Sequence, residues 1–342
     1  MMDTPATDTF IELARASDRA ELLDFIHGVF RRGDPNIPRF EAMYPDLMVA
    51  TDEAMSRHAI VRLDGRIVSC VGMYGMLLQA GGCRVPIAGI GQVSTAADML
   101  GRGFMTVLLK FQLERARREG AVLAWLGGRH DRYAHFGFEV AGLWFKYVGD
   151  THSTSGIRRT RAISCVPASP ESITPELFAL REATVDGVIE PIENYRLRLR
   201  RAPFELWTAT PSGESAPDAW AIVVPGQSEG RIEEWCGSED GRIELFAAVA
   251  AKFGRVVRDE SSAPKPLNRE LRRFCSWMGP GCDQLAVLDR DGLLAAYGAL
   301  VPSGTEPPPA GLDAMEFVRH VFGPEQSAFP RLPFLLPGFN HV

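Results

Sequence analysis

Apolar and polar positions change period repeatedly along the first 150 residues, and each change marks an element. Leu22, Leu23, Ile26 and Phe30 recur at helical spacing among charged residues, and Gly33-Asp34-Pro35 ends that helix. His58 to Leu63 and Arg66 to Tyr74 are apolar runs around Asp64-Gly65, which predicts a β-hairpin with a two-residue turn. A further strand is expected over Arg84 to Thr95. Leu100 to Glu119 carries the strongest helical pattern: Phe104, Val107, Leu108 and Phe111 share a face that Leu113 and Ala116 extend. Arg117 and Arg118 fall in its last turn, and Gly120 is placed to cap it. Ala121 to Leu126 is continuously apolar, as a strand buried on both faces would be.

The pattern breaks near residue 150. THSTSGIRRTR is polar and rich in Ser, Thr and Gly, and reads as a linker. A second cycle follows, with strands expected over 204–210, 219–224 and 231–235. A helix over 244–253, a strand over 254–257 and a helix over 268–274 come next. The repeat is one of pattern and not of sequence. Two units are therefore expected, residues 1–150 and 151–342. Trp220 and Trp235 read as core or sheet-face residues. The tail, EQSAFPRLPFLLPGFNHV, is apolar and punctuated by Pro330, Pro333 and Pro337, which predicts an extended path with Phe334, Leu335, Leu336 and Phe339 packed on the fold.

Composition narrows the classes. The 342 residues are 46% hydrophobic and 23% charged, ordinary for a globular chain long enough for two domains. No apolar run reaches the length of about 18 residues that a membrane span needs. The opening MMDTPATDTF has neither the basic nor the apolar region of a secretory signal, so a cytoplasmic protein is expected. The six cysteines are scattered without a Cys-x-x-Cys pair, which predicts neither a metal site nor a disulfide framework. Net charge is −6, so no nucleic-acid partner is expected. The arginine clusters at 158–161 and 196–201 read as linker or solvated face.

The chemistry concentrates between Gly89 and Gly142. A strand ends in a loop closed by Gly101-Arg102-Gly103, and a helix begins at once. Free backbone N–H groups and the positive end of the helix dipole then face one point, a site for an anion. A dinucleotide fingerprint is absent: neither Gly101-Arg102-Gly103 nor Gly89-Ile90-Gly91 is followed by the third glycine. There is also no GxxxxGK[ST] and no GxSxG.

This strand–loop–helix segment resembles the GNAT acetyltransferase superfamily, whose loop of pattern Gln/Arg-x-x-Gly-x-Gly/Ala binds acyl-CoA. Gly103 matches that pattern, while Leu100 and Met105 depart from it. Tyr133-Ala134-His135-Phe136-Gly137-Phe138 is similar to the family's Tyr-x-x-x-Gly-Phe segment, at the family's distance from the loop. The resemblance covers roughly residues 10 to 150. The whole chain resembles the tandem-GNAT type, similar to the enhanced intracellular survival acetyltransferase, with a length that leaves no room for the sterol-carrier-like domain many of those possess. It implies an α+β/α/β fold of two tandem GNAT-like domains, each a mixed twisted sheet flanked by helices. The first would be catalytic and the second degenerate, because Glu239 and Asp240 at the second helix start would repel a pyrophosphate. It also implies acetyl-CoA or another acyl-CoA as co-substrate. Leu100, Gly101, Arg102, Gly103, Phe104 and Met105 would cradle the pyrophosphate, and Val93, Ser94 and Thr95 would pair with the pantetheine arm. A small-molecule amine or a lysine-bearing substrate would be the acceptor, with no metal, nucleic acid or membrane; a homo-oligomer is left open.

Moving an acyl group from a thioester to an amine makes three demands. The amine must be neutral, and deprotonating a lysine-like group with pKa about 10.4 costs roughly 4.6 kcal/mol at pH 7. The oxyanion needs a donor and the leaving thiolate an acid. Tyr133 stands at the family's general-acid position. For the base, Gln92, Ser94 and Thr95 are unsuitable, which leaves His130, Asp131 or, as in the tandem relatives, the C-terminal carboxylate of Val342. Asp24, Asp34, Glu41 and Asp46 suit a cationic acceptor as readily as ordinary surface. The alternative function is an acyl-CoA-binding sensor or structural protein without catalysis.

Overall fold

The computed structural model describes residues 11–31, 34, 38–157, 162–184, 186–261, 274–280, 284–323, 330, 332 and 334. Its strands in chain order are β1 (Ile11–Leu13), β2 (His58–Leu63), β3 (Arg66–Ala80), β4 (Cys83–Thr95), β5 (Leu123–Leu126), β6 (Glu139–Val140), β7 (Leu143–Asp150), β8 (Ile163–Ala168), β9 (Gly187–Ile189), β10 (Glu205–Pro211), β11 (Ala219–Pro225), β12 (Gly230–Gly237), β13 (Arg255–Ser261), β14 (Cys275–Pro280) and β15 (Gln284–Val287). The α-helices are α1 (Arg19–Arg31), α2 (Phe40–Met43), α3 (Asp52–Met55), α4 (Phe104–Arg118), α5 (His130–Tyr133), α6 (Thr151–Ser155), α7 (Pro175–Thr184), α8 (Ile192–Arg198), α9 (Glu239–Phe253), α10 (Arg290–Ala296) and α11 (Ala314–Phe322). No described helix is long and apolar enough to cross a membrane.

Two mixed sheets organise these elements. The first has the order β1-β2-β3-β4-β5-β15-β6, with β9 also on β3; the second has β14-β7-β13-β12-β11-β10-β8. The predicted hairpin forms at Asp64 (φ 49°) and Gly65 (φ 77°), the two left-handed residues its turn requires. In each sheet one strand–helix–strand crossover makes a parallel pair. β4 and β5 pair at Ile87↔Leu123, Ala88↔Ala124 and Gly89↔Trp125, while β12 and β13 pair at Gly230↔Val256, Arg231↔Val257 and Ile232↔Arg258. The repeat of pattern is thus a repeat of architecture.

The sheets do not divide the chain at residue 150. β7, from the first half, pairs with β13 and β14 in the second sheet, and β15, from the second half, lies between β5 and β6 in the first. This explains the unbroken apolar run of β5. Leu123, Trp125 and Leu285 face a core closed by α10 and α11 with Leu332 and Phe334 of the tail. Ala124, Leu126 and Ala286 face the core under α4. Alternate residues of a strand point to opposite faces, and here both faces are covered.

The tail behaves as predicted at Phe334, 1% exposed, and Leu332 is buried in the same core at 1%; Leu335, Leu336 and Phe339 lie outside the described residues. So does the helix expected over 268–274, apart from Phe274. Two readings are corrected. Residues 151–155 form a helix and not a linker: the Asp150 carboxylate accepts from Ser153 N, and Ser153 Oγ returns a bond to the cap backbone. Ser, Thr and Asp mark loops and helix caps alike, so composition misplaced this segment. Arg198 and Arg201 are not solvated. They are 7% and 2% exposed and pair with Glu190 (2.9 Å) and Asp46 (2.5 Å).

Candidate active site

The cleft forms where β4 and β5 part. Their pairing stops at Gly89↔Trp125; β5 ends at Leu126, but β4 continues to Thr95, paired only to β3 among the described residues. The other edge of β4 from Ile90 to Thr95 therefore presents unpaired backbone groups inside the fold. Such groups must find partners. The side chains at this edge are tied elsewhere: Ser94 Oγ donates to Gln92 O (3.0 Å), and Thr95 Oγ1 lies 2.9 Å from Ser69 Oγ. What Val93, Ser94 and Thr95 leave open is backbone.

At the mouth of the cleft α4 begins without a cap. Gly103 occupies the N-cap in the left-handed region (φ 78°) and offers no side chain, and the first turn holds no acidic residue. Leu100, Gly101, Arg102 and Gly103 are exposed, while Phe104 is buried and Met105 partly so, pinning the helix start to the core. The first N–H groups of this 15-residue helix thus lack a capping side chain, and exposed Arg102, which has no ion pair among the described residues, stands beside them. The nearest acid, Asp98, is paired with Arg66 at 2.5 Å, which lowers its pKa.

Tyr133 stands on the other side of the parting strands, in α5 just beyond β5. Its ring is 7% exposed, meets Phe138 edge-on at 6.2 Å and lies against Gly128, where a Cβ would fall 3.0 Å from it. Its hydroxyl has no partner among the described residues. Burial raises its pKa, which keeps the phenol protonated at neutral pH, as an acid must be.

The second half builds this turn, a contribution that local sequence could not show. Gln284 of β15, 1% exposed, gives its Nε2–H to Gly128 O at 2.7 Å. Arg319 of α11 bonds Glu139, which also lies 3.2 Å from His130 Nε2. His130 is thereby drawn toward β6, two strands from β5 and so roughly 10 Å across the sheet from it. Asp131 is exposed and pairs with Arg129 at 2.5 Å, which lowers its pKa. Neither is brought to the cleft as a base. Val342 lies outside the described residues. Three of the four acids suggested for a cationic acceptor are occupied too: Asp24 and Glu41 with Arg39, and Asp46 with Arg201.

The second sheet repeats the parting of strands but fills it. Arg258, 6% exposed, donates to Ile232 O (3.3 Å) and Glu233 O (2.5 Å), the strand edge that corresponds to the open edge of β4. The α9 start is capped by Ser238, which accepts from Gly241 N, and carries Glu239 and Asp240.

An open strand edge thus meets an uncapped, acid-free helix start, with a protonated phenol opposite. Residues 11–141 match the sequence model of the acetyltransferase (GNAT) domain. Solved structures share the fold across both sheets. A GCN5-related N-acetyltransferase from Anabaena variabilis superposes with TM-score 0.66 at 16% identity, covering 88% of this chain and 77% of the other. One from Kribbella flavida gives 0.63 at 18%, covering 84% and 73%. Eis1 from Mycobacterium abscessus gives 0.59 at 18%, covering 84% and 76%. Both sheets thus belong to a fold that these solved structures share.

Proposed function

We propose that this chain is an acyl-CoA-dependent N-acyltransferase, with acetyl-CoA as co-substrate and a primary amine as acceptor. The observation that carries the reading is the convergence of the open β4 edge and the uncapped α4 start on one cleft with Tyr133. The amide-rich pantetheine arm suits the edge at Val93–Thr95. The pyrophosphate suits the N–H groups from Leu100 to Met105, with Arg102 as cation. In this reading the neutral amine attacks the thioester carbonyl in a ternary complex, and a backbone N–H of β4 takes the oxyanion. The C–S bond then breaks, and the Tyr133 hydroxyl gives its proton to the sulfur. The base is the Val342 carboxylate, and a chain extended past Val342 should keep acyl-CoA affinity and lose turnover.

Arg258 and the capped α9 support a second domain without a cofactor, so one acyl-CoA per chain is expected. The departures at Leu100 and Met105 favour a second reading, an acyl-CoA-binding protein without catalysis. Thiol release from acetyl-CoA with a panel of primary amines separates the two. Release with any amine supports the transferase; tight acyl-CoA binding with no release across the panel supports the sensor. No binding overturns both.

A further inference from the structure

Beneath the open edge of β4 runs a buried polar chain that acyl transfer itself does not use. Gln92 has φ 47°, in the left-handed region, at a bulge where the β3–β4 register shifts between Cys70↔Ser94 and Gly72↔Gly91. A residue other than glycine holds that conformation only where its surroundings impose it. Here they do. The Gln92 side chain is buried, and its Oε1 lies 2.5 Å from the Tyr74 hydroxyl, which lies 2.9 Å from His58 Nε2. His58 Nδ1 in turn contacts Met55 O at 3.1 Å. His58 is fully buried and Tyr74 3% exposed.

Burial pulls the His58 pKa down to about 4, so the ring is neutral, with Nδ1–H on Met55 O and a lone pair at Nε2. The single phenol proton then serves either His58 or Gln92. Turning the Gln92 amide over, which leaves its shape unchanged, lets its NH₂ donate to the phenol oxygen and satisfies all three groups. Gly72 makes the room, since a Cβ there would fall 2.6 Å from Gln92 Oε1 and 3.1 Å from the Tyr74 hydroxyl. From the helix side, Gln112 of α4 donates to Val71 O at 2.8 Å, the carbonyl opposite the bulge.

We propose that Tyr74 is a positioning residue for acyl transfer: its hydroxyl, seated on His58, anchors the Gln92 side chain and so holds the β4 bulge at the point where the strand leaves β5. This rests on reading the cleft as an acyl-CoA site. The bulge sets where the backbone groups of Val93 to Thr95 stand. A displacement of about 1 Å at such a point can cost roughly 100-fold in rate.

The test uses the full chain, its Y74F, Q92A and Q92G variants, and the Y74F/Q92G double variant. Coenzyme A affinity, kcat and KM with an amine the wild type turns over, and melting temperature are measured for each. Y74F should lower kcat roughly 10-fold or more while coenzyme A affinity changes less than about 3-fold. Q92A should lose kcat similarly. Q92G should lose less than Q92A, because glycine adopts a positive φ without an anchor. Adding Y74F to Q92G should then cost nothing further. A Y74F enzyme with wild-type kcat, equal losses in Q92A and Q92G, or the full Y74F loss repeated on the Q92G background would each overturn the proposal. The Ala–Gly contrast stands even if Y74F fails to fold. A wild-type chain that binds no acyl-CoA removes the underlying reading, and that failure shows before any variant is compared.

Discussion

Replacing Thr106 by Asp should change folding stability and cofactor affinity in opposite directions. Thr106 is the third residue of α4, partly buried, at a helix start with no capping side chain and no acid. A carboxylate there faces the positive end of the dipole and can reach back to the Gly103 N–H, stabilising the helix by about 0.3–1 kcal/mol. A pyrophosphate at the same helix mouth would stand about 6 Å away. At an effective dielectric constant of about 40 each charge pair then costs about 1.4 kcal/mol, and two pyrophosphate charges about 2.8 kcal/mol, roughly 100-fold. Screening over a Debye length of about 8 Å roughly halves that, leaving about 10-fold at physiological salt. Calorimetric titration with coenzyme A at low and high salt, beside thermal melts and a Thr106→Asn control, reads both effects. The expected T106D protein melts no lower than wild type, binds coenzyme A more weakly, and recovers part of the loss as salt rises. Unchanged affinity at low salt would refute the placement of the pyrophosphate. An equal loss in T106N would show that packing, and not charge, is responsible.

Three further outcomes are expected. Tyr133→Phe should lower kcat roughly 100-fold or more with coenzyme A affinity and melting temperature nearly unchanged, because the lost hydroxyl has no partner among the described residues; steady-state kinetics checks this. Arg181→Met should cost about 3–5 kcal/mol in a denaturant titration, since Arg181 (2% exposed) pairs at 2.8 Å with Glu234, which is fully buried, and its removal leaves that carboxylate without its cation, held by the Tyr195 hydroxyl at 2.6 Å. Stability should also fall on acidification. The folded His58 pKa lies near 4 against an unfolded value of about 6.5, so between those values the unfolded chain binds a proton that the folded chain does not. The loss approaches about 3 kcal/mol by pH 4, and a denaturation series over pH should show a shallower acid slope in His58→Gln than in wild type.

Much of the fold and part of the site were legible because they depend on short-range energetics. Asp64-Gly65 declared its turn through residues that tolerate positive φ. The face of Phe104, Leu108 and Ala116 declared α4 through its period. Gly101 and Gly103, both near φ +79°, declared the loop that leaves the helix start bare. The helix itself begins at Phe104 and not Leu100, since the two left-handed glycines keep 100–103 out of it. Gln92 was illegible for the complementary reason. Local rules make it an ordinary strand residue, and only Tyr74, His58 and Gly72, gathered from two other strands, impose its conformation.

Sequence alone determined most of the elements, the crossover from β4 through α4 to β5 and the bare start of α4, because each follows from backbone preferences and periodicity within some twenty residues; Tyr133 as acid candidate came from the resemblance to the GNAT family. Tertiary structure alone decided that β15 enters the first sheet, that Gln284 and Arg319 brace the turn of Tyr133, that Arg198 and Arg201 are buried, and that Arg258 fills the second cleft. Apart from Arg198 and Glu190, eight positions apart, those pairings join residues from 25 to 180 positions apart. No local pattern encodes such partners; they are selected only when the packed cores fix which strand edges and which buried charges must meet.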